Sequence, residues 1–179
     1  MTISEQTLSR FSTQHKIIKY YIDGLPPEAI YKRLSSEKWS IHEIIAYMCR
    51  YQHIFFSRIK SIVSEVNPMF NIYKPDEDPE FSFTESKTTG SLLHEIYRVR
   101  QDILNELDAV KQDAGSLTGI HEVLGKMDLS QWIEFFLLHE SNQLFKIFKS
   151  AGNYWSFGAN PENIRKTPMR TPMDELAGY

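Results

Sequence analysis

The sequence predicts an all-α protein that folds as an antiparallel four-helix bundle, and three observations lead to this prediction. Apolar residues recur at the three- and four-residue spacing of amphipathic helices along four long segments. A long connection, residues 67–87, separates the second segment from the third, as a crossover does in a bundle. No segment shows the alternation of a strand, and no linker divides the chain. We therefore expect one domain over residues 1–179, with the bundle at about 3–151 and a C-terminal extension at 152–179.

The first helix has a start signal and a stop signal. Thr2 and Glu5 have the spacing of a capping box, in which each residue bonds to the backbone of the other. Gly24 and the two prolines that follow it shortly afterwards end this helix. A short helical piece is expected after the prolines, at residues 28–34.

The second helix has the clearest start signal in the sequence. Ser40 is a good N-cap and Glu43 stands three residues later, which is the pattern of a capping box. The helix is expected to run to about Glu65, where an Asn-Pro pair breaks it. The connection at residues 67–87 contains three prolines and an acidic cluster, which predicts an exposed segment. Its four aromatic residues predict that it packs against the helices.

The third and fourth helices complete the bundle. The third is expected over residues 89–111 and is followed by a turn-rich linker. Asp128 and Gln131 cap the last helix, which contains the most apolar sequence of the chain, and Gly152 is expected to end it. The remainder is expected to be an extended tail that Trp155 and Phe157 anchor to the bundle.

The composition excludes several classes of protein. The chain has 179 residues, of which 41% are hydrophobic and 24% are charged, and its formal net charge is −3. This charge provides no general attraction to a nucleic acid. The longest apolar run, residues 44–49, is far shorter than the ~20 residues of a membrane-spanning helix. The N-terminal residues lack a signal-peptide pattern, so we expect a cytoplasmic protein with no nucleic-acid or membrane partner.

The six histidines are the obvious candidates for metal ligands, because the single cysteine excludes a cysteine-rich metal site. Four of them precede a glutamate, but none has a second histidine four residues later, so the HExxH motif is absent. No glutamate stands three residues before a histidine, which excludes the motif of di-iron bundles. Five histidines lie among polar residues or near helix starts, where a solvated imidazole is expected: His15, His42, His53, His94 and His121.

His139 differs from the other histidines because it follows four consecutive apolar residues in the last helix. At helical spacing it shares one face with Trp132, Phe136, Gln143 and Ile147. A buried imidazole must form hydrogen bonds or coordinate a ligand. A hydrogen-bonded core histidine is the more common of these two outcomes.

Two segments of the chain resemble the DinB/YfiT-like superfamily. One is Lys-Trp-Ser-Ile at residues 38–41, which leads into the second helix, and the other is Leu-Leu-His-Glu at residues 137–140. The order of the helices and the connection after the second helix fit as well, and the resemblance covers roughly residues 5–150. It implies an up-down-down-up four-helix bundle, and it implies a homodimer because many members are dimeric.

The resemblance also implies where a metal site would lie. Many members of this superfamily hold Zn or Ni with one histidine from the second helix and an HxxxH pair from the last helix. The corresponding positions here are Tyr47, His139 and Gln143, so His139 is the only retained residue of a ligand type. A neutral tyrosine and an amide are poor ligands for Zn or Ni at pH 7. We therefore expect no metal and no other cofactor, with Zn or Ni as the less favoured alternative.

Four residues are candidates for a site in the bundle cleft: Tyr47, His139, Gln143 and Glu43, which precedes Tyr47 by one helical turn. Tyrosine, imidazole and amide groups can satisfy one another as a polar cluster inside the bundle. The same groups could instead line a metal-free pocket that binds a small molecule. Both interpretations are open at this point.

Three functions follow from these alternatives. The first is a binding or interaction module whose metal site has degenerated, with a small-molecule ligand in the cleft. The second is a metal-dependent hydrolase or a low-molecular-weight-thiol transferase that uses a non-standard site around His139. The third is a dimerising module with exposed aromatic residues such as Phe55 or Phe56 at its interface. Metal analysis separates the first two, and the oligomeric state tests the third.

Overall fold

The computed structural model describes residues 2–158, and four long helical segments form its body. In chain order the helices are α1 (Glu5–Thr13), α2 (Ile17–Ile22), α3 (Pro27–Tyr31), α4 (Ile41–Ser64), α5 (Pro79–Glu85), α6 (Thr89–Val110) and α7 (Leu129–Gly158). A 3₁₀ turn joins α1 to α2, so these two helices together form the first segment of the bundle. Helix α4 packs against both α6 and α7, and the first segment packs on α7. The predicted all-α four-helix bundle is confirmed.

Two of the three predicted capping boxes are present. Ser40 accepts a hydrogen bond from the backbone of Glu43, whose carboxylate accepts one from the backbone of Ser40. Asp128 and Gln131 make the same reciprocal pair at the start of α7, with both distances at 2.9 Å. The box predicted from Thr2 is wrong, because Ser4 is the residue that caps α1.

A small sheet was not expected from the sequence. Its strands are β1 (Met69–Phe70), β2 (Thr118–His121) and β3 (Gly125–Asp128), with β1 parallel and β3 antiparallel to the central β2. The strands are too short for an alternating apolar pattern to be recognised. The sheet joins the long connection after α4 to the linker before α7, and so fixes both connections on the bundle.

Helix α7 is longer than the sequence indicated. It continues through Gly152, which was expected to end it, and the described part of the helix ends at Gly158. A glycine inside a helix costs only about 1 kcal/mol, and packing of the following turn offsets this cost. Trp155 provides that packing as a helical residue, because its ring lies 5.5 Å from Phe148 and 6.3 Å from Tyr21. The rest of the predicted extension, from residue 159 onwards, lies outside the described residues.

The core is built mainly from the apolar stripes of α4, α6 and α7. Phe55 lies at its centre, fully buried, with its ring 4.3 Å from that of Phe136. The proposal that Phe55 is exposed at a dimer interface is therefore wrong, because it occupies the inner face of α4. Within residues 2–158, none of the helices combines the length and the hydropathy that crossing a membrane requires.

Candidate functional site

Tyr47 and His139 meet across the bundle. Tyr47 lies in the second turn of α4 and His139 near the middle of α7, and the Tyr47 hydroxyl is hydrogen-bonded to His139 Nε2 at 3.0 Å. The two residues are 92 positions apart in the chain, so the packing of α4 on α7 creates the pair. The structure thus brings together two of the four candidate residues.

Aromatic side chains surround this pair. The ring of Tyr47 has neighbours on several sides, with centroid distances between 5.4 and 6.4 Å: Trp39, Tyr51, Tyr73 and Phe81. The ring of His139 packs at 4.2 Å on Tyr51. We call the five residues Trp39, Tyr47, Tyr51, Tyr73 and Phe81 the aromatic wall. Of these five, the sequence identified only Tyr47 as a site residue. Trp39 precedes α4, and Tyr73 and Phe81 follow it, so helical periodicity does not reveal where these three side chains lie.

Burial and charge keep both members of the pair neutral. Burial, followed by the positive charges of Lys146 and Arg58, lowers the pKa of His139 to about 4. Burial also raises the pKa of Tyr47 well above its usual range, and the neighbouring Tyr51 adds to this effect. At pH 7 the site therefore holds an uncharged imidazole and an uncharged phenol.

Gln143 lies one turn after His139 and is buried, but it does not join the pair. Its Oε1 accepts a hydrogen bond of 3.2 Å from Lys146 Nζ. No hydrogen bond links Gln143 to Tyr47 or His139 among the residues that the structure describes. The expected polar cluster of three side chains is therefore a pair, and Gln143 instead fixes the ammonium group that lowers the pKa of His139.

Glu43 faces away from the pair. Its carboxylate accepts hydrogen bonds of 2.8 and 3.0 Å from Arg33 Nε and one of 2.7 Å from the Ser40 backbone. Burial alone would raise the pKa of Glu43, but the bonds from Arg33 and Ser40 outweigh burial and hold it below its usual range. The carboxylate is thus committed to the helix cap and to Arg33.

A cavity of about 520 Å³ lies beside the aromatic wall, and Glu43 forms part of its lining. Trp39 and Phe81 belong both to the wall and to the lining of the cavity, and each of these rings contacts Tyr47. The remaining lining comes from the 3₁₀ turn after Lys74, from α5 and from Arg33, and is polar apart from two prolines. Five carboxylates and one guanidinium face this space.

Glu140, which follows His139, is committed elsewhere. It forms an ion pair with Arg100 inside the bundle, and both side chains are almost completely buried. Gln52 and Gln14 donate further hydrogen bonds to its two oxygens, at 3.2 and 3.1 Å. The carboxylate of Glu140 therefore already has partners for both oxygens.

The solvated surroundings predicted for five histidines are wrong for three of them. His15, His42 and His121 are buried. His42 is satisfied by the Thr89 hydroxyl and the Glu85 carbonyl, both at 2.9 Å. The sequence suggested exposure because polar neighbours along the chain conceal that these side chains point inwards.

The residues at the expected metal position do not fit Zn or Ni. The phenol of Tyr47 would have to lose its proton, and Gln143 already accepts from Lys146. The charges of Lys146 and Arg58 that disfavour a proton on His139 also disfavour a divalent cation there. Neutralising carboxylates are not part of the trio, and imidazole alone is not a sufficient ligand set.

Comparisons with known proteins agree with this architecture. The family model of the DinB superfamily matches residues 10–144. The fold is similar to that of YfiT from Bacillus subtilis, described as a probable metal-dependent hydrolase with an unusual four-helix bundle topology. That similarity has a TM-score of 0.73 at 10% sequence identity and covers 86% of this chain and 90% of YfiT. No curated protein gives a significant sequence match. Because the family match spans most of the sequence, the chain belongs to the DinB superfamily.

Proposed function

We propose that this chain is a binding module of the DinB superfamily that holds no metal at the Tyr47–His139 position, and that the cavity beside the aromatic wall binds a small organic cation. The observation that carries this proposal is the composition of the cavity, which combines two aromatic rings with a clear excess of carboxylates. A volume of about 520 Å³ is within the range of small-molecule sites. The ligand class is an amine with a flat apolar part.

The apolar part of the ligand would pack on Trp39 and Phe81. These rings are stacked on one another, with centroids 5.7 Å apart and an angle of 24° between their planes. Tyr47 contacts both rings from the interior side. The neutral Tyr47–His139 pair therefore holds the aromatic wall in place and has no need to contact the ligand itself.

The carboxylates of the cavity select a positive charge. Glu43 is paired with Arg33, Asp78 with Arg50, and Glu77 with Lys74. Asp76 and Glu85 also line the cavity, and neither forms an ion pair within the described part of the chain. These two charges favour a cationic group beside the Trp39 ring, where a cation–π contact adds to the attraction.

Calorimetric titration with phenethylamine, phenylethanol and phenylacetate tests this proposal. We expect the amine to bind, the alcohol to bind more weakly and the acid not to bind. Replacing Trp39 by Leu should weaken amine binding by about ten-fold, because one good cation–π and stacking contact contributes about that much to affinity. The double variant Asp76→Asn/Glu85→Gln should lose the preference for amine over alcohol. Trp155→Leu, at a tryptophan outside the cavity, is the matched control.

Equal binding of the three compounds, or no binding of the amine, would contradict the proposal. So would an effect of Trp155→Leu equal to that of Trp39→Leu, since the ligand would then lie elsewhere on the protein.

The competing function is a metal-dependent hydrolase or a low-molecular-weight-thiol transferase that uses a site around His139. Membership of the DinB superfamily and the similarity to YfiT favour it. Metal analysis of protein purified without a polyhistidine tag decides between the two. Stoichiometric Zn or Ni that is lost in His139→Ala would refute the proposal that no metal binds at His139. We expect that replacing His139 does not change the content of either metal.

A further inference from the structure

The geometry points to a metal site in another part of the bundle: we propose that Cys49, His53 and Glu95 together bind one zinc ion. Cys49 and His53 are one turn apart on α4, and Glu95 faces them from α6. The thiol sulfur, an imidazole nitrogen and a carboxylate oxygen all lie within 4.8 Å of one another. These residues are separate from Tyr47 and His139, where the superfamily's metal position lies.

The distances are compatible with coordination after small side-chain rotations. In a tetrahedral zinc site, the bond lengths of sulfur, nitrogen and oxygen ligands place the ligand atoms about 3.3 to 3.6 Å apart. His53 Nε2 and Glu95 Oε1 are 2.7 Å apart, and the sulfur of Cys49 lies within 4.8 Å of the ligand atoms of both residues. Zinc would replace this hydrogen bond by two metal–ligand bonds, and the proton on His53 Nε2 would be released to solvent while Nδ1 carries the remaining proton of the neutral imidazole.

The donors supply the negative charge that a divalent cation needs, against the positive charges of Lys87, Arg98 and Arg50 nearby. A thiolate and a carboxylate neutralise the charge of Zn²⁺, and a neutral imidazole is its most common nitrogen ligand. Binding breaks the S–H bond of Cys49 and releases its proton to solvent, so no oxidant or reductant is needed. Burial, followed by the charge of Glu95, raises the pKa of the free thiol to about 12, so the thiol is protonated until a metal displaces its proton.

Lys87 orients the carboxylate without occupying the oxygen that the metal needs. Its Nζ donates to Glu95 Oε2 at 2.7 Å, whereas His53 contacts Oε1. In the absence of metal, Lys87, His53 and Glu95 form a hydrogen-bonded network. A purely structural role for these three residues is therefore the alternative to zinc binding, and zinc titration of the variants distinguishes the two roles.

The site is open to solvent on one side. Cys49 is fully buried, but the side chain of His53 is 33% exposed and that of Glu95 is 20% exposed. A surface cavity of about 510 Å³ on α6 adjoins Glu95 and includes His94 in its lining. Zinc can thus reach the three ligands from the surface, and a water molecule from the cavity can complete a tetrahedral set.

Titration of the tag-free, metal-stripped protein with Zn²⁺, and separately with Co²⁺, tests this proposal. We expect one equivalent to bind, with a thiolate-to-cobalt charge-transfer absorption for Co²⁺. Cys49→Ser and His53→Ala should each weaken Zn²⁺ binding by at least about 100-fold, since even indirect partners of a metal ligand contribute about 10- to 100-fold. Glu95→Gln should weaken it as well. His94→Ala, at the exposed histidine beside Glu95, is the matched control and should bind zinc normally.

The proposal is overturned if the wild type does not bind zinc. It is also overturned if Cys49→Ser, His53→Ala and Glu95→Gln bind zinc as strongly as the wild type. The last two positions are partly exposed, so they keep the test decisive if the buried serine variant does not fold. Zinc binding that is lost in His139→Ala but retained in Cys49→Ser would overturn both this inference and the proposal that no metal binds at His139. Absence of zinc binding would overturn this inference alone.

Discussion

The ring of His139 carries a low pKa because it is buried near two cations, and this has a consequence for stability. Its pKa is about 4 in the folded protein, and that of His15 is about 3, both far below the ordinary value of 6.5. For His15 the causes are burial, then the charges of Arg100 and Lys16. Both histidines therefore take up protons more readily in the unfolded chain than in the folded one.

We predict that the free energy of unfolding decreases as the pH falls from about 7 towards 4. Over this window the unfolded chain binds more protons at these histidines than the folded chain, so acid favours unfolding. Urea denaturation at pH 7, 6, 5 and 4 measures the slope. The double variant His15→Asn/His139→Asn should show a shallower slope than the wild type, whereas His94→Asn, an exposed histidine, should not. An unchanged slope in the double variant would contradict the low pKa values.

Arg100 and Glu140 form the second feature at this scale, an ion pair deep in the bundle. We predict that Arg100→Met destabilises the protein by about 3 to 5 kcal/mol, because it leaves the buried carboxylate of Glu140 without its cation. Replacing both residues, as Arg100→Met/Glu140→Leu, should cost less than the sum of the two single changes. Chemical denaturation of the three variants measures this coupling. Additive effects would show that the two charges do not depend on one another.

The residue scale also shows what a sequence can and cannot reveal about a site. His139 was identifiable because a polar residue in an apolar helix needs a partner, and its position one turn before Gln143 was evident. That Tyr47 is its partner depended on the family resemblance. The link between Arg100 and Glu140 could not be predicted, because no local pattern connects two residues on different helices.

At the scale of elements, the sequence predicted best what local chemistry determines. The capping boxes at Ser40 and Asp128 were readable, because each box is complete within four residues. The end of α7 was not, because the packing of Trp155 on Phe148 and Tyr21 outweighs the weak stop signal of Gly152. The short sheet was missed because β1 pairs with β2 from about 50 residues away, and because the local β2–β3 hairpin has strands of only four residues.

Gly119 in β2 demonstrates how tightly this sheet packs on the bundle. A Cβ atom at this position would lie 3.0 Å from Ile62, 3.0 Å from Phe70 and 3.2 Å from Trp132. The Trp132 indole also donates to the Gly119 carbonyl at 3.4 Å. The glycine is therefore required by close approach of three side chains to the strand.

We predict that Gly119→Ala destabilises the protein by about 1 to 3 kcal/mol, the usual cost of overpacking a core. The matched control is Gly90→Ala in α6, where a Cβ atom meets nothing within 4 Å. Because alanine favours a helix over glycine and Gly90 lies in the first turn of α6, the control should be at least as stable as the wild type. Thermal and chemical denaturation compare the two variants. Equal effects at both positions would contradict the close packing of the sheet.

At the scale of the whole molecule, fold and metal chemistry are separable. The apolar stripes of four helices determine the bundle, and they were visible in the sequence. The family resemblance implies a metal position of three side chains, of which this chain keeps one. An aromatic wall surrounds that position, so we expect the fold to be retained without this metal chemistry.

The outer face of α7 leads to the last prediction, which concerns assembly. Leu138, Phe145 and Phe148 are exposed on this helix, with Leu138 and Phe145 both more than 60% exposed. Their spacing of seven and three residues places them on one face. Three exposed apolar side chains on one helix face, interrupted by two polar residues, indicate an interface, and a two-fold dimer would bury them against its own copy. The homodimer implied by the family resemblance would therefore use α7 rather than Phe55.

Light scattering on the purified protein measures its oligomeric state directly, and we predict the mass of a dimer. Phe145→Glu should convert it to a monomer, because a two-fold interface places the new charge near its own symmetry copy in an apolar contact. The control is Val123→Glu, a substitution of similar character at an exposed residue in the turn between β2 and β3, which should remain dimeric. A wild-type monomer, or a dimer that survives Phe145→Glu, would exclude α7 as the interface. Because the cavity beside Trp39 lies on α4 and α5, ligand binding should be the same in the dimer and in the Phe145→Glu monomer.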